Sequence, residues 1–199
     1  MKDQYFLDMC AAGPDPWGFE RRWYEQRNYQ VTMACLVRDR RVFEPECSVG
    51  VLTALLADPG GLCRRPGHRP GGPRADDRES PRCWRERPCL RRTLGHADPW
   101  PETGYDLVVI SEVLYYLEAD EAGQFMAQTV EHLDADGHVV VAHWQTRVPE
   151  YPLSGAVAQR IACETDGLKV VGTYRDDDLS LDVLGRTGST TIATTTGLR

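Results

Sequence analysis

"FEPECSVGVLTALLAD", residues 43–58, passes from the end of a short apolar segment, through a turn of small residues, into a helix-like pattern. Strand-to-helix turns of this kind carry two or three glycines when backbone must lie against a nucleotide-like ligand. Only Gly50 is present here, and Glu46 and Ser48 stand where glycines are expected. Three readings follow: a cofactor loop that tolerates the losses, a dead one, or an ordinary strand-to-helix turn.

The surrounding chain alternates strand and helix. Upstream, "DPWGFERRWYEQRNYQVTMACL" reads as one helix, with Asp15 as cap and Pro16 in the first turn. Phe19, Trp23 and Gln26 lie on one of its faces, and Tyr24, Arg27 and Val31 on another. "RRVFEP" is a short strand and "VGVLTALLAD" the helix that follows the turn. Downstream, "YDLVVISEVLYYL" opens on the run Leu107–Ile110, the pattern of a strand buried on both faces. "EADEAGQFMAQTVEHLDADG" is an amphipathic helix ended by Gly137, and "HVVVAHW" a second buried strand. "YPLSGAVAQRIACETDG" is a helix, "LKVVGTYR" a strand, and "LSLDVLGR" with "STTIATTT" a terminal hairpin. This order predicts one α/β domain over 1–199 with a Rossmann-like, doubly wound and mainly parallel sheet. The turn after Glu44, the segment "SEVLYY" and the strand end "AHW" then converge on the carboxyl edge, where such sheets bind ligands.

Composition bounds the function. Hydrophobic residues at 41% and charged residues at 27% are ordinary for a globular protein. No apolar run is long enough for a membrane span, and "MKDQYFLDMC" lacks the order of a secretory signal, so a cytoplasmic protein is expected. Seven scattered cysteines argue against a disulfide framework. The spacing of Cys63, His68, Cys83 and Cys89 matches no compact zinc pattern, so no metal is expected. A net charge of −7 gives the surface no general attraction for nucleic acid.

Residues 58–95 differ in kind. Within 58–92 stand 10 arginines, 6 of the 13 prolines and 3 of the 7 cysteines, but Leu62 and Leu90 alone among Leu, Ile and Val. The 10 arginines against 5 acids make this stretch +5, which leaves −12 for the rest of a chain of net −7. Neither a helical nor a strand period runs through it.

Four segments together resemble the nodulation-protein-S type of small class I S-adenosylmethionine-dependent methyltransferase. They are "DPWGFERRWYEQRNY", "FEPECSVGVLTALLAD", "DPWPETGYDLVVISEVLYYL" and "VVVAHW". The resemblance covers roughly residues 13–57 and 97–185, two thirds of the chain, and omits 58–95. It implies S-adenosyl-L-methionine as methyl donor, no metal, and a small-molecule acceptor that is an amine or oligosaccharide-like. In the family the turn reads acid-x-Gly-x-Gly-x-Gly; Glu44, Cys47, Ser48 and Gly50 fit the branch pattern and Glu46 departs from it. The resemblance further implies that the segment 15–35 closes over the cofactor through Trp17, Tyr24 and Arg27, with Arg27 on the methionine carboxylate. Ser111, Glu112 and Val113 are implied beside the reactive methyl. Tyr115, Tyr116, His143 and Trp144 are implied to line the acceptor pocket, with Glu112 or His143 taking the proton of an amine.

Plainer roles stand beside these. Arg27 on a helix surface is solvated, Tyr115 and Tyr116 are core or rim aromatics, and His143 is a hydrogen-bonded structural histidine. A nucleic-acid role for the arginine-rich segment lacks aromatic interleaving around Trp84. An alternative function is a catalytically dead or cofactor-deficient remnant from a frameshifted gene. The Arg, Pro, Gly and Cys of 58–92 are what GC-rich coding DNA yields out of frame, where the resemblance implies two strands and a ribose-binding acid. A genuine disordered insert has the same composition.

Overall fold

The computed structural model describes residues 11, 13, 15–36, 41–57, 100, 104–195 and 197–198; the anomalous segment and its frameshift reading lie outside the described residues. Among the described residues the first element is helix α1 (Trp23–Cys35), followed by strand β1 (Val42–Phe43) and helix α2 (Val51–Leu56). Strand β2 (Tyr105–Ser111), a 3-10 turn (Leu114–Tyr116) and helix α3 (Ala119–His132) come next. Strand β3 (Leu133–Trp144), helix α4 (Gly155–Cys163), strands β4 (Leu168–Arg175) and β5 (Leu179–Arg186), and helix α5 (Ile192–Thr195) complete the order. No described helix is long and apolar enough to cross a membrane.

The strands form one sheet in the order β1-β2-β3-β5-β4. β1, β2 and β3 are mutually parallel, and β5 runs antiparallel to both neighbours. This is the doubly wound, mainly parallel sheet that the alternating pattern predicts. Helices cover both faces, which explains the unbroken apolar runs. Val108, Ile110, Val139 and Val141 face a core with Met126 of α3 and Ala158 and Ala162 of α4. Leu107, Val109, Val140 and Ala142 face the other core, with Tyr29 of α1 and Leu52 and Leu56 of α2. All eight strand residues are at 0% exposure. At about 1.5–3 kcal/mol for each large aliphatic side chain, these two strands anchor the domain.

Three expectations are corrected. The N-terminal segment is not one helix, because Gly18 at φ 74° breaks it. Asp15 does cap, but it caps a separate turn, accepting from the Phe19 and Glu20 amides, and the helix begins only at Trp23. The helix after β2 ends at His132, five residues before Gly137. Gly137 lies inside β3, where a Cβ would come within 2.8 Å of the Tyr105 carbonyl oxygen. Thr191 overrides the terminal strand: its hydroxyl accepts from the Thr194 amide and starts α5, so β5 pairs with β4 instead.

Gly155 joins the fold to the binding edge. A Cβ there would meet the Trp144 carbonyl oxygen at 2.0 Å, so α4 sits against the end of β3 only because the side chain is absent. Gly155→Ala is expected to lower stability by about 1–3 kcal/mol, the cost of overpacking a filled interior, measured as a drop in urea midpoint. An unchanged midpoint would mean that α4 is not held against this strand end.

Candidate functional site

Glu112 follows β2 directly and joins it to the end of β3. Its amide still pairs with the Ala142 carbonyl across the sheet at 2.9 Å, but its own φ is 59°, so the chain turns away there. A non-glycine residue in this region is strained by roughly 1–2 kcal/mol. Its carboxylate offsets that strain with four donors. Oε2 accepts from the Tyr115 hydroxyl at 2.7 Å and the Trp144 amide at 2.9 Å. Oε1 accepts from Asn28 Nδ2 at 3.1 Å and the Tyr24 hydroxyl at 3.5 Å. Burial pushes the carboxyl above its ordinary range, against these four bonds, which pull it down.

The turn after β1 keeps a glycine-type backbone without the glycines. Glu46 has φ 57°, Ser48 φ 47° and Gly50 φ 81°, so every second residue after Glu44 is left-handed. At the level of backbone this is not an ordinary turn, because glycine conformation is held at two positions by other residues. Nothing lies within 4 Å of a Cβ built at Gly50, which leaves space in front of that peptide. Cys47 closes the turn through its carbonyl, which accepts from the Gly50 amide at 2.8 Å, and Ser48 is exposed. Glu44 ends the strand with its carboxylate accepting from the Thr53 hydroxyl on α2. Burial pushes its carboxyl up to about 8, with the Thr53 bond opposing.

Helix α1 lies over this edge and docks by its polar face. Glu25, Asn28, Tyr29 and Thr32 are buried, whereas Trp23 is 67% exposed. The faces expected from apolar spacing are therefore corrected: the buried stripe runs between them. The carboxyl of Glu25 is pushed up to about 7 by burial and by the nearby Glu112. Its Oε2 has no hydrogen-bond partner among the described residues.

The other residues singled out in the sequence divide. Tyr24, Glu112, Tyr115 and Trp144 come together, with the Tyr24 and Trp144 rings 6.4 Å apart. Ser111 is the last residue of β2 and pairs with Ala142. Trp17 stacks on Phe19 at 5.5 Å in the turn before α1. Two placements differ from expectation. Val113 is 3% exposed and packs into the core under α3 and α4 rather than facing the site. Arg27 is bonded to Asp176 and to the Tyr174 hydroxyl, so its guanidinium ties α1 to the β4–β5 connection rather than standing ready for a carboxylate ligand.

His143 is fully buried, its Nδ1 lying 2.7 Å from Gln159 Oε1 and its ring 5.5 Å from the Tyr115 ring. Burial lowers its pKa to about 4. Tyr116 and Tyr151 share a hydrogen bond at 3.2 Å, and Tyr151 stacks on Tyr115 at 5.1 Å. Asn28, Glu25, Tyr151 and Gln159 are site residues that the sequence reading missed. The spacing of Tyr24 and Asn28, one helical turn apart, was the available signal for Asn28.

No protein-family model matches the chain, and no curated protein matches it either. Solved structures do. The N-methyltransferase NodS from Bradyrhizobium japonicum WM9, in complex with S-adenosyl-L-homocysteine, aligns with TM-score 0.66 at 23% identity, covering 92% of this chain and 97% of that one. The 1,6-didemethyltoxoflavin-N1-methyltransferase from Burkholderia thailandensis, also with S-adenosylhomocysteine, aligns with TM-score 0.62 at 15% identity, covering 92% and 86%. The PH0226 protein from Pyrococcus horikoshii OT3 aligns with TM-score 0.61 at 13% identity, covering 92% and 99%. At these identities the likeness is one of fold: the chain has the Rossmann-like fold seen in NodS and in the toxoflavin N1-methyltransferase.

Replacing Glu46 by glycine removes the left-handed strain and is expected to stabilise the protein by about 1 kcal/mol, read as a Tm rise of about 2–4 °C. A fall in Tm would show that the Glu46 side chain holds the turn.

Glu44 and Glu25 each hold a proton more readily folded than unfolded, the ordinary carboxyl value being 4.5. Their contribution therefore falls as pH rises from about 4.5 to about 8. Glu44→Gln should gain on the wild type across that window in urea midpoints; a constant difference would place Glu44 at an ordinary pKa.

Proposed function

We propose that this chain is an S-adenosyl-L-methionine-dependent methyltransferase acting on a small molecule, and within that class an N-methyltransferase of the nodulation-protein-S type. The observation that carries the reading is the turn from Glu44 to Gly50. It retains three left-handed residues at alternate positions, with an acid at the strand end, although two of the three are not glycine. Strain of this kind is kept where backbone must come close to a ligand. The fold shared with NodS and with the toxoflavin N1-methyltransferase supports it.

The residues present fit that cofactor. The backbone of 45–50 would hold its methionine and ribose portions, with Glu44 at the strand end and Tyr24 and Trp17 covering from α1 and the turn before it. The bound sulfonium supplies an already activated methyl group. What remains for the protein is alignment and exclusion of water, which proximity effects make the larger share of the rate. Glu112 and Tyr115 form the acceptor side, and a protein group must take the proton of an amine acceptor.

Of the two candidates, Glu112 suits that role better. Burial raises its basicity, whereas burial lowers that of His143. The Tyr24 hydroxyl, at 3.5 Å, is the longest of the four bonds to Glu112. Its displacement opens Oε1 to an acceptor N–H while Asn28, Tyr115 and Trp144 keep the carboxylate in place.

A second reading, a cofactor-deficient remnant, draws on Glu46, whose carboxylate stands in a turn meant for a carboxylate-bearing ligand. The two readings part on methyl transfer from isotope-labelled S-adenosyl-L-methionine to a panel of primary amines, glucosamine included. We expect incorporation by the wild type. We expect Glu112→Gln to lower turnover at least about tenfold, with S-adenosylhomocysteine affinity within about threefold. Equal loss of both would make Glu112 a structural residue, and no incorporation into any amine would favour the remnant.

A further inference from the structure

A buried chain of polar groups ends on His143. Asp182, 1% exposed on β5, accepts from Arg175, from Thr173 at 2.8 Å, from Cys163 at 3.1 Å and from Gln159 Nε2 at 2.6 Å. Gln159 Nε2 also lies 3.2 Å from the Val141 carbonyl oxygen. Both of its partners are acceptors only, so this atom must be the amide nitrogen and the amide cannot be flipped. Gln159 therefore presents its oxygen to His143, 2.7 Å from Nδ1, and an oxygen there requires that Nδ1 carry the hydrogen. The lone pair of the neutral ring is left on Nε2. That atom is buried and has no hydrogen-bond partner among the described residues.

We propose that Gln159 is a positioning residue that fixes His143 as the Nδ1–H tautomer, so that Nε2 accepts a hydrogen bond from an N–H or O–H of the methyl acceptor, directly or through one water. That the hydrogen comes from a methyl acceptor rests on the function proposed above; the tautomer does not. The place of the ring supports it: His143 precedes Trp144, whose amide holds Glu112, and lies beside Tyr115, whose hydroxyl holds the same carboxylate. A buried acceptor without a donor is costly in a resting fold, and a donor from a ligand or a water would remove that cost. The substrate class that follows is a donor-bearing nucleophile, an amine or a hydroxyl compound that still carries a hydrogen when bound, and not a tertiary amine.

Nitrogen-15 spectra of the histidine rings, with His143 assigned by the His143→Gln variant, test this in the protein loaded with S-adenosylhomocysteine. The expected wild-type pattern is a protonated Nδ1 and an unprotonated Nε2. Gln159→Met, close in volume but without the amide, should let both tautomers populate and average the two shifts. Adding glucosamine as the amine probe should move the Nε2 resonance upfield in the wild type. A protonated Nε2 in the wild type would overturn the assignment, and that spectrum alone decides it if the variant does not fold. An unmoved Nε2 with glucosamine would overturn the contact to the acceptor. Failure of S-adenosylhomocysteine to bind would instead count against the methyltransferase reading.

Discussion

The carboxylate of Glu112 ties α1 and the 3-10 turn to the end of β3. Four groups from three elements of the fold donate to it: Tyr24 and Asn28 of α1, Tyr115 of the 3-10 turn, and the amide of Trp144 at the end of β3. A hydrogen bond to a charged acceptor contributes about 1.5–3 kcal/mol, so even two of the four outweigh the roughly 1–2 kcal/mol of left-handed strain at its backbone. The strain has a consequence of its own. By turning at residue 112, the chain brings Tyr115 back to the carboxylate three residues later instead of extending β2 away from the edge. The same interaction explains why α1 buries Asn28 and Thr32 where a helix on a sheet would ordinarily bury leucines.

Parts of the fold were legible because they obey one pattern at a time. The runs Leu107–Ile110 and Val139–Ala142 are apolar throughout because helices cover both faces, and no polar residue interrupts the signal. The face of α1 was not legible for the opposite reason. Its partner is a carboxylate 84 residues away from Asn28, and apolar periodicity cannot reveal a stripe chosen for hydrogen bonding. The end of α3 was misplaced because Gly137 has the right residue type for a helix stop but serves instead as a close approach to Tyr105. At the C-terminus, a hydroxyl cap at Thr191 defeats the strand preference of the threonines around it.

The candidate site shows the same division. Glu44 and Glu112 stand out in the sequence, since acids at strand ends are expensive to bury without a purpose. Arg27 was expected at a ligand carboxylate, yet a protein carboxylate 149 residues on, Asp176, holds it. This pair and the Glu112 junction fasten α1 at two points, one over the site and one over the β4–β5 connection. Glu46 and Ser48 show why residue type alone misjudged the turn: the left-handed backbone persists at both positions without glycine.

The central claim is that this backbone and its covering helix form a nucleoside-sulfur cofactor site. Calorimetric titration of the wild-type chain with S-adenosylhomocysteine tests it most directly. The account predicts saturable one-to-one binding with Kd no weaker than about 1 mM, the upper end of ordinary enzyme affinities. Absence of heat and of saturation at several times that concentration would contradict it.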